Sequence, residues 1–125
     1  MLNQSRKSGF TLLELLIVVI IVSILAAVAL PRFGRMTRRA RTAEAFTSVG
    51  AILTAETLYY QENGSFAAAL GQLLVDVDVT DFGYAIATAA TNARIVATGT
   101  AGSSFAGITV TGTVTDLGAR NVASN

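Results

Sequence analysis

The sequence predicts an α+β chain: a long N-terminal helix, membrane-spanning in its first half and amphipathic in its second, packed on a small antiparallel sheet. Three observations point there. Residues 10–30 are 21 positions with a single charge, Glu14. Residues 32–62 show apolar side chains at mostly three- and four-residue spacing, the period of one helix face. From Phe82 onward the texture turns to Thr, Val, Ala and Gly with few charges, as short strands require.

Each element follows in order. Residues 1–9, MLNQSRKSG, are short, polar and basic. As a helix, the 21-residue, largely apolar run after them would span roughly 31 Å at about 1.5 Å per residue, a bilayer core. Pro31 has no N–H to donate, so the helix is predicted to kink or open locally there. Met36, Ala40, Ala43, Phe46, Val49, Leu53 and Tyr60 then form an apolar stripe, with the Arg residues, Glu44, Glu56 and Glu62 falling largely between them. The stripe is read as packing against the chain's own sheet. Asn63-Gly64 ends the run, because Gly readily takes the left-handed conformation after a helix. Residues 65–81 are mixed, closing on VDVDVT, whose alternation suits a strand or an extended loop. FGYAIATAA, ARIVATGT and AGITVTGTVT read as three strands, with turns at Thr91-Asn92 and at residues 99–104. Short neighbouring strands predict an antiparallel meander. The expected organisation is a leader over residues 1–9, a membrane or filament-core helix over 10–31, an amphipathic half over 32–64 and a globular part over 65–125.

Composition narrows the function. Hydrophobic residues make up 52% of the chain and charged residues 14%, with the apolar excess in the N-terminal run. There is no cysteine and no histidine. Disulfides and thiolate metal sites are excluded, and the commonest general base and metal ligand is missing. No catalytic role and no cofactor is expected. Asp76, Asp78, Asp81 and Asp116 offer oxygen ligands, but without calcium-loop spacing. The net charge of +1 hides a split: residues 1–41 hold seven Lys/Arg against one acid, residues 42–125 two against seven. Such asymmetry fits nucleic-acid or membrane binding, or the basic end of one copy meeting the acidic part of the next.

The apolar run has four readings. It could be a secretory signal, with Arg6 and Lys7 as its basic region and Ala27-Val28-Ala29 as its cleavage site. Its length and internal Glu14 speak against that. It could be an ordinary anchor, although five Arg follow it, which would by the charge rule place the C-terminus inside. A buried core helix would need more protein around it than 125 residues provide. The fourth reading is a membrane helix that later packs against copies of itself. Cleavage between Gly9 and Phe10 would give Phe10 a new ammonium group. Opposite charges about 4 Å apart attract by roughly 4 kcal/mol at an effective dielectric near 20. A charge at the centre of a membrane helix costs roughly 2.5–3.5 kcal/mol, and less near an end. An ammonium on a neighbouring helix could therefore offset Glu14 and fix the stagger between copies; the alternative is that Glu14 reaches the headgroups.

Gly9-Phe10-Thr11-Leu12-Leu13-Glu14, after a short basic leader, resembles the type III signal of type IV pilins and of the pseudopilins of type II secretion. Leu25-Ala26-Ala27-Val28-Ala29-Leu30-Pro31 is similar to that family's run into its helix proline, and Tyr59-Tyr60-Gln61-Glu62-Asn63-Gly64-Ser65-Phe66 to the end of its long helix. The resemblance implies a pilin-like fold, cleavage after Gly9 by a prepilin peptidase and N-methylation of Phe10. It further implies pairing of Glu14 with a neighbour's N-terminus and a melted or bent helix near Pro31. Two departures stand out. Ser23 occupies a position that is often Gly, and the absence of cysteine leaves the tail LGARNVASN to be held by packing or hydrogen bonds, or loose. The family inserts leader-inside, so Arg32, Arg35, Arg38, Arg39 and Arg41 would lie outside the cytoplasm, available for inter-subunit charge contacts.

The expected function is that of a structural subunit of a type IV pilus, a homo-oligomeric helical filament used for motility, adhesion or DNA uptake. Its implied partners are the inner membrane, the prepilin peptidase, an assembly ATPase and a platform protein. The implied locations are the cytoplasmic membrane before assembly and a cell-surface pilus afterwards. A pseudopilin of a secretion or competence system is the alternative, and a soluble domain released after Ala29 the remote one. Direct DNA binding by residues 32–41 is a lesser reading, because only Phe33 interleaves with the arginines and a fibre would largely cover them.

Overall fold

The computed structural model describes residues 9–103 and 105–125, in the order α1 (Leu12–Asn63), a single 3-10 turn (Leu70–Gln72), β1 (Phe82–Ala89), β2 (Asn92–Gly99), β3 (Thr109–Thr115) and β4 (Arg120–Ser124). The chain forms two compact units, one ending at Met36 and the other running from Thr37 to Asn125.

In the first unit, every described residue is exposed. Its helix is built from Leu, Ile, Val and Ala, with Thr11 at its mouth: the Glu14 N–H donates to Thr11 Oγ1 at 3.2 Å, satisfying one of the orphan amides of the first turn. The Ser23 hydroxyl donates to the Val19 carbonyl at 2.7 Å. This bond within the helix lets the Ser23 hydroxyl sit in an apolar environment without an outside partner. The helix continues through Pro31, where the Ala27 carbonyl loses its usual donor.

In the second unit, α1 buries Ala45, Val49, Ile52, Leu53 and Glu56. The predicted stripe holds from Phe46 through Val49 and Leu53 to Tyr60 and fails before them: Met36, Ala40 and Ala43 are exposed. The reason is geometric. Steps of three residues turn a helix face back by about 60° each, so a stripe stitched through 40, 43, 46 and 49 winds off the buried side. Gly64 takes φ 70° and donates its N–H to the Tyr60 carbonyl at 2.8 Å, ending α1 where the Asn63-Gly64 pair predicts.

The sheet is an antiparallel meander in the order β1-β2-β3-β4. Ile86 pairs with Ile95, Ile95 with Gly112 and Gly112 with Val122, so these positions share one face. Ala93, Ile95 and Ala97 of β2 and Val110 and Val114 of β3 are buried, joined in one core by Ala45, Val49, Ile52 and Leu53 of α1 and by Phe66, Phe82 and Phe105. The opposite face carries Thr109, Thr111, Thr113 and Thr115. Gly112 lies directly under the helix: a Cβ there would lie 2.5 Å from Val49 Cγ1 and 2.9 Å from Leu53 Cδ1.

The structure adds one strand to the sequence reading and settles one alternative that the sequence leaves open. The three anticipated strands are joined by a fourth, because the tail pairs with β3 from Val110↔Ser124 to Val114↔Arg120. Arg120 Nη1 also donates to Thr54 Oγ1 of α1 at 2.9 Å. Of the two options for VDVDVT, the extended loop is the outcome. Val75 and Val77 pack against the core while no ladder partner aligns with them.

Candidate functional site

The candidate site is the start of α1 with the junction before it. Gly9 and Phe10 lie outside the helix, exposed, and Phe10 is 73% accessible. A Cβ placed on Gly9 would meet nothing within 4 Å, so the fold itself makes no demand for glycine there. The remainder of the expected leader, residues 1–8, lies outside the described residues. Glu14 sits in the first turn, where the positive end of the helix dipole favours a carboxylate. Thr11-Leu12-Leu13-Glu14 is a capping-box sequence, of which the Thr11 half is formed. Among the described residues the Glu14 carboxylate has neither hydrogen bond nor ion pair. The Thr11 cap was missed in the sequence, though the T-x-x-E spacing signals it. It gives Thr11 a role in starting the helix, through the backbone amide of Glu14.

From Phe10 to Leu30 every residue is exposed. The helix passes the length and hydropathy test for a membrane span, with none of its most apolar window buried by the rest of the chain. A rod of Leu, Ile and Val cannot stay so in water, since each such side chain gains about 1.5–3 kcal/mol from burial.

The five arginines do not behave alike. Arg32, Arg35, Arg38 and Arg39 are exposed. Arg41 is engaged within its own chain: Nη1 lies 2.9 Å from Glu44 Oε2 and Nε 3.2 Å from Asp81 Oδ2. It ties α1 to the entry of β1. Among the described residues no three acids converge into a metal-ligating group. Asp78 accepts from both the hydroxyl and the amide of Thr80, which hold its carboxyl below the usual carboxylate range. Asp116 accepts the Leu117 N–H at 2.9 Å.

Glu56 is the residue whose setting the sequence concealed. It is fully buried on the sheet side of α1. Oε2 accepts the Ala67 N–H at 2.9 Å, fastening the segment after the helix, while Oε1 is buried without a partner. Burial pushes its carboxyl above the ordinary 4.5, and the Ala67 bond offsets part of that.

The first unit is an exposed apolar stem of membrane length and the second a helix-on-meander head, a pair of features that fits a membrane-anchored precursor. The profile of the prokaryotic N-terminal methylation motif matches residues 4–30, and that of the Type IV pilin-like G and H family matches residues 42–116. The chain belongs to the type IV pilin-like family. It is 36% identical over 62 residues to the type IV major pilin protein PilA of Myxococcus xanthus, covering 50% of this chain and 28% of that protein. It is 47% identical over 60 residues to the type IV major pilin protein PilE1 of Neisseria gonorrhoeae, covering 48% and 36%. It is 33% identical over 82 residues to a fimbrial protein of Moraxella nonliquefaciens, covering 66% and 53%. The matched regions therefore span from 28% to 53% of the length of these relatives. No solved structure matches the chain.

Proposed function

We propose that this chain is a structural subunit of a type IV pilus, stored in the cytoplasmic membrane and polymerised into a surface filament. The observation behind this reading is the bare stem: 21 residues, Phe10 to Leu30, with a single charge, every one of them exposed among the described residues. Lipid covers them in the store and the same helices of other copies cover them in the fibre. Lipid is as apolar as a helix bundle, so burial alone does not drive the exchange; close packing at Ser23, Ala26, Ala27 and Ala29, charge pairing and the work of a separate ATP-driven machine with its platform protein do. A head-to-tail contact repeated by a rotation and a rise gives an open helix of copies.

In this reading a prepilin peptidase cuts between Gly9 and Phe10 and the new Phe10 amine is methylated. Glu14 then pairs with the Phe10 ammonium of the adjoining copy, and Pro31 lets the helix open where copies crowd. Arg38 and Arg39 meet acids of adjacent heads. The chain itself performs no catalysis. The test is the Glu14→Gln variant. It should be processed and inserted normally while surface filaments fall at least about tenfold, the factor for a lost interaction of 1.4 kcal/mol. Filament yield equal to the parent's would refute the pairing.

A further inference from the structure

The head carries a partly apolar groove whose floor, Tyr59 and Leu73, belongs to the core and whose wall, Leu58 and Leu74, does not. It lies between the last turns of α1 and the segment after the 3-10 turn, is lined by Leu58, Tyr59, Glu62, Gln72, Leu73 and Leu74, and has a volume of about 210 Å³. Leu74 is fully exposed and Leu58 is 56% exposed. Leu58 and Leu74 are the apolar side chains on its wall that a partner would cover. Glu62 at its edge has no ion pair among the described residues and sets the sign of the partner. Residues 42–125 hold seven acids against two arginines. Anionic headgroups and phosphate polymers are thus repelled, and a cationic apolar knob is favoured.

The chain contains such a knob. Phe33 and Met36 are 72% and 68% exposed, one helical turn apart on α1. Arg32, also exposed, stands four residues before Met36, on the neighbouring position of that face. A cavity of about 150 Å³ takes a benzene ring, so the groove has room for the Phe33 ring. Resting on the pilus reading, we infer that the groove receives the Arg32–Phe33–Met36 knob of a second copy, with Phe33 against Leu58 and Leu74 and Arg32 at Glu62. Knob and groove are different surfaces, so each copy offers one of each and the contact repeats without closing. It adds a second register between copies, at the head, to the one set by Glu14.

The absence of native cysteine makes the test clean. The full chain carrying Phe33→Cys and Leu74→Cys is expressed in a cell that assembles it, oxidised, and run on a non-reducing gel beside each single variant, with filaments counted by electron microscopy. A ladder of dimers and higher forms in the double variant, absent from both singles, is the expected result. A ladder without filaments would keep the contact and remove the pilus reading. Filaments without a ladder would overturn the contact alone, and neither would overturn both. Glu62→Arg should cut filament yield about tenfold through like charges at the rim, and adding Arg32→Glu should restore it. Failure of the second change to restore yield, with the sheet intact by circular dichroism, would also overturn the contact.

Discussion

Glu56 shows how one residue can set the pH response of the head. A carboxyl whose folded pKa lies above its unfolded value adds stability that is fully present below the unfolded value and is lost as pH rises through the folded one. Glu56 is of this kind, so stability of the full chain in detergent should decline as pH rises from about 4.5 into the range to which burial has pushed it. Asp78 has the opposite sign: its lowered pKa gives stability above the unfolded value that is lost on acidification. Glu56→Gln keeps an acceptor for the Ala67 amide and cannot ionise. Its unfolding profile by circular dichroism should lose the decline above 4.5 while keeping the acid-side loss. Glu56→Ala leaves that buried amide bare and should cost about 1–3 kcal/mol. In the sequence, Glu56 reads as one more polar residue between apolar ones. Its burial depends on where the Ala67 segment returns, which no helix period reveals. Glu14, by contrast, was legible from the length of the run around it.

At the scale of elements, the sequence marks stops and strands well and partners poorly. Asn63-Gly64 ends α1, and β1 and β2 lie within a residue of the segments read from the Thr/Val/Ala alternation. β4 was missed because ARNVASN offers one apolar residue, Val122, at the core. Its strand is made by the ladder to β3 and not by its own pattern. VDVDVT has the right alternation, yet nothing offers it a ladder. The helix–sheet contact is sharpest at Gly112. Gly112→Ala places a methyl against Val49 and Leu53 and should destabilise the head by about 1–3 kcal/mol, read from the denaturant midpoint. Ile52→Ala, at a fully buried position, should cost roughly 2–5 kcal/mol. Neither change touches the stem, so membrane insertion should be unaltered in both.

For the whole molecule, the governing fact is that α1 is exposed at every residue from Leu12 to Arg41 and buries one face, from Ala45 to Glu56, in the second unit. The uncovered half was readable from composition alone. The uneven fate of the arginines was not, since only the fold brings Asp81 to Arg41. Arg38→Glu with Arg39→Glu should leave insertion intact and lower filament yield. Equal yield would remove those two from the contacts between copies.

The most direct test is the mass of the N-terminal peptide from the main protein of sheared surface fibres. A peptide that begins at Phe10 and carries one added methyl group is the result this account requires. A peptide beginning at Met1 or at Leu30, or fibres that do not contain the chain, would contradict it.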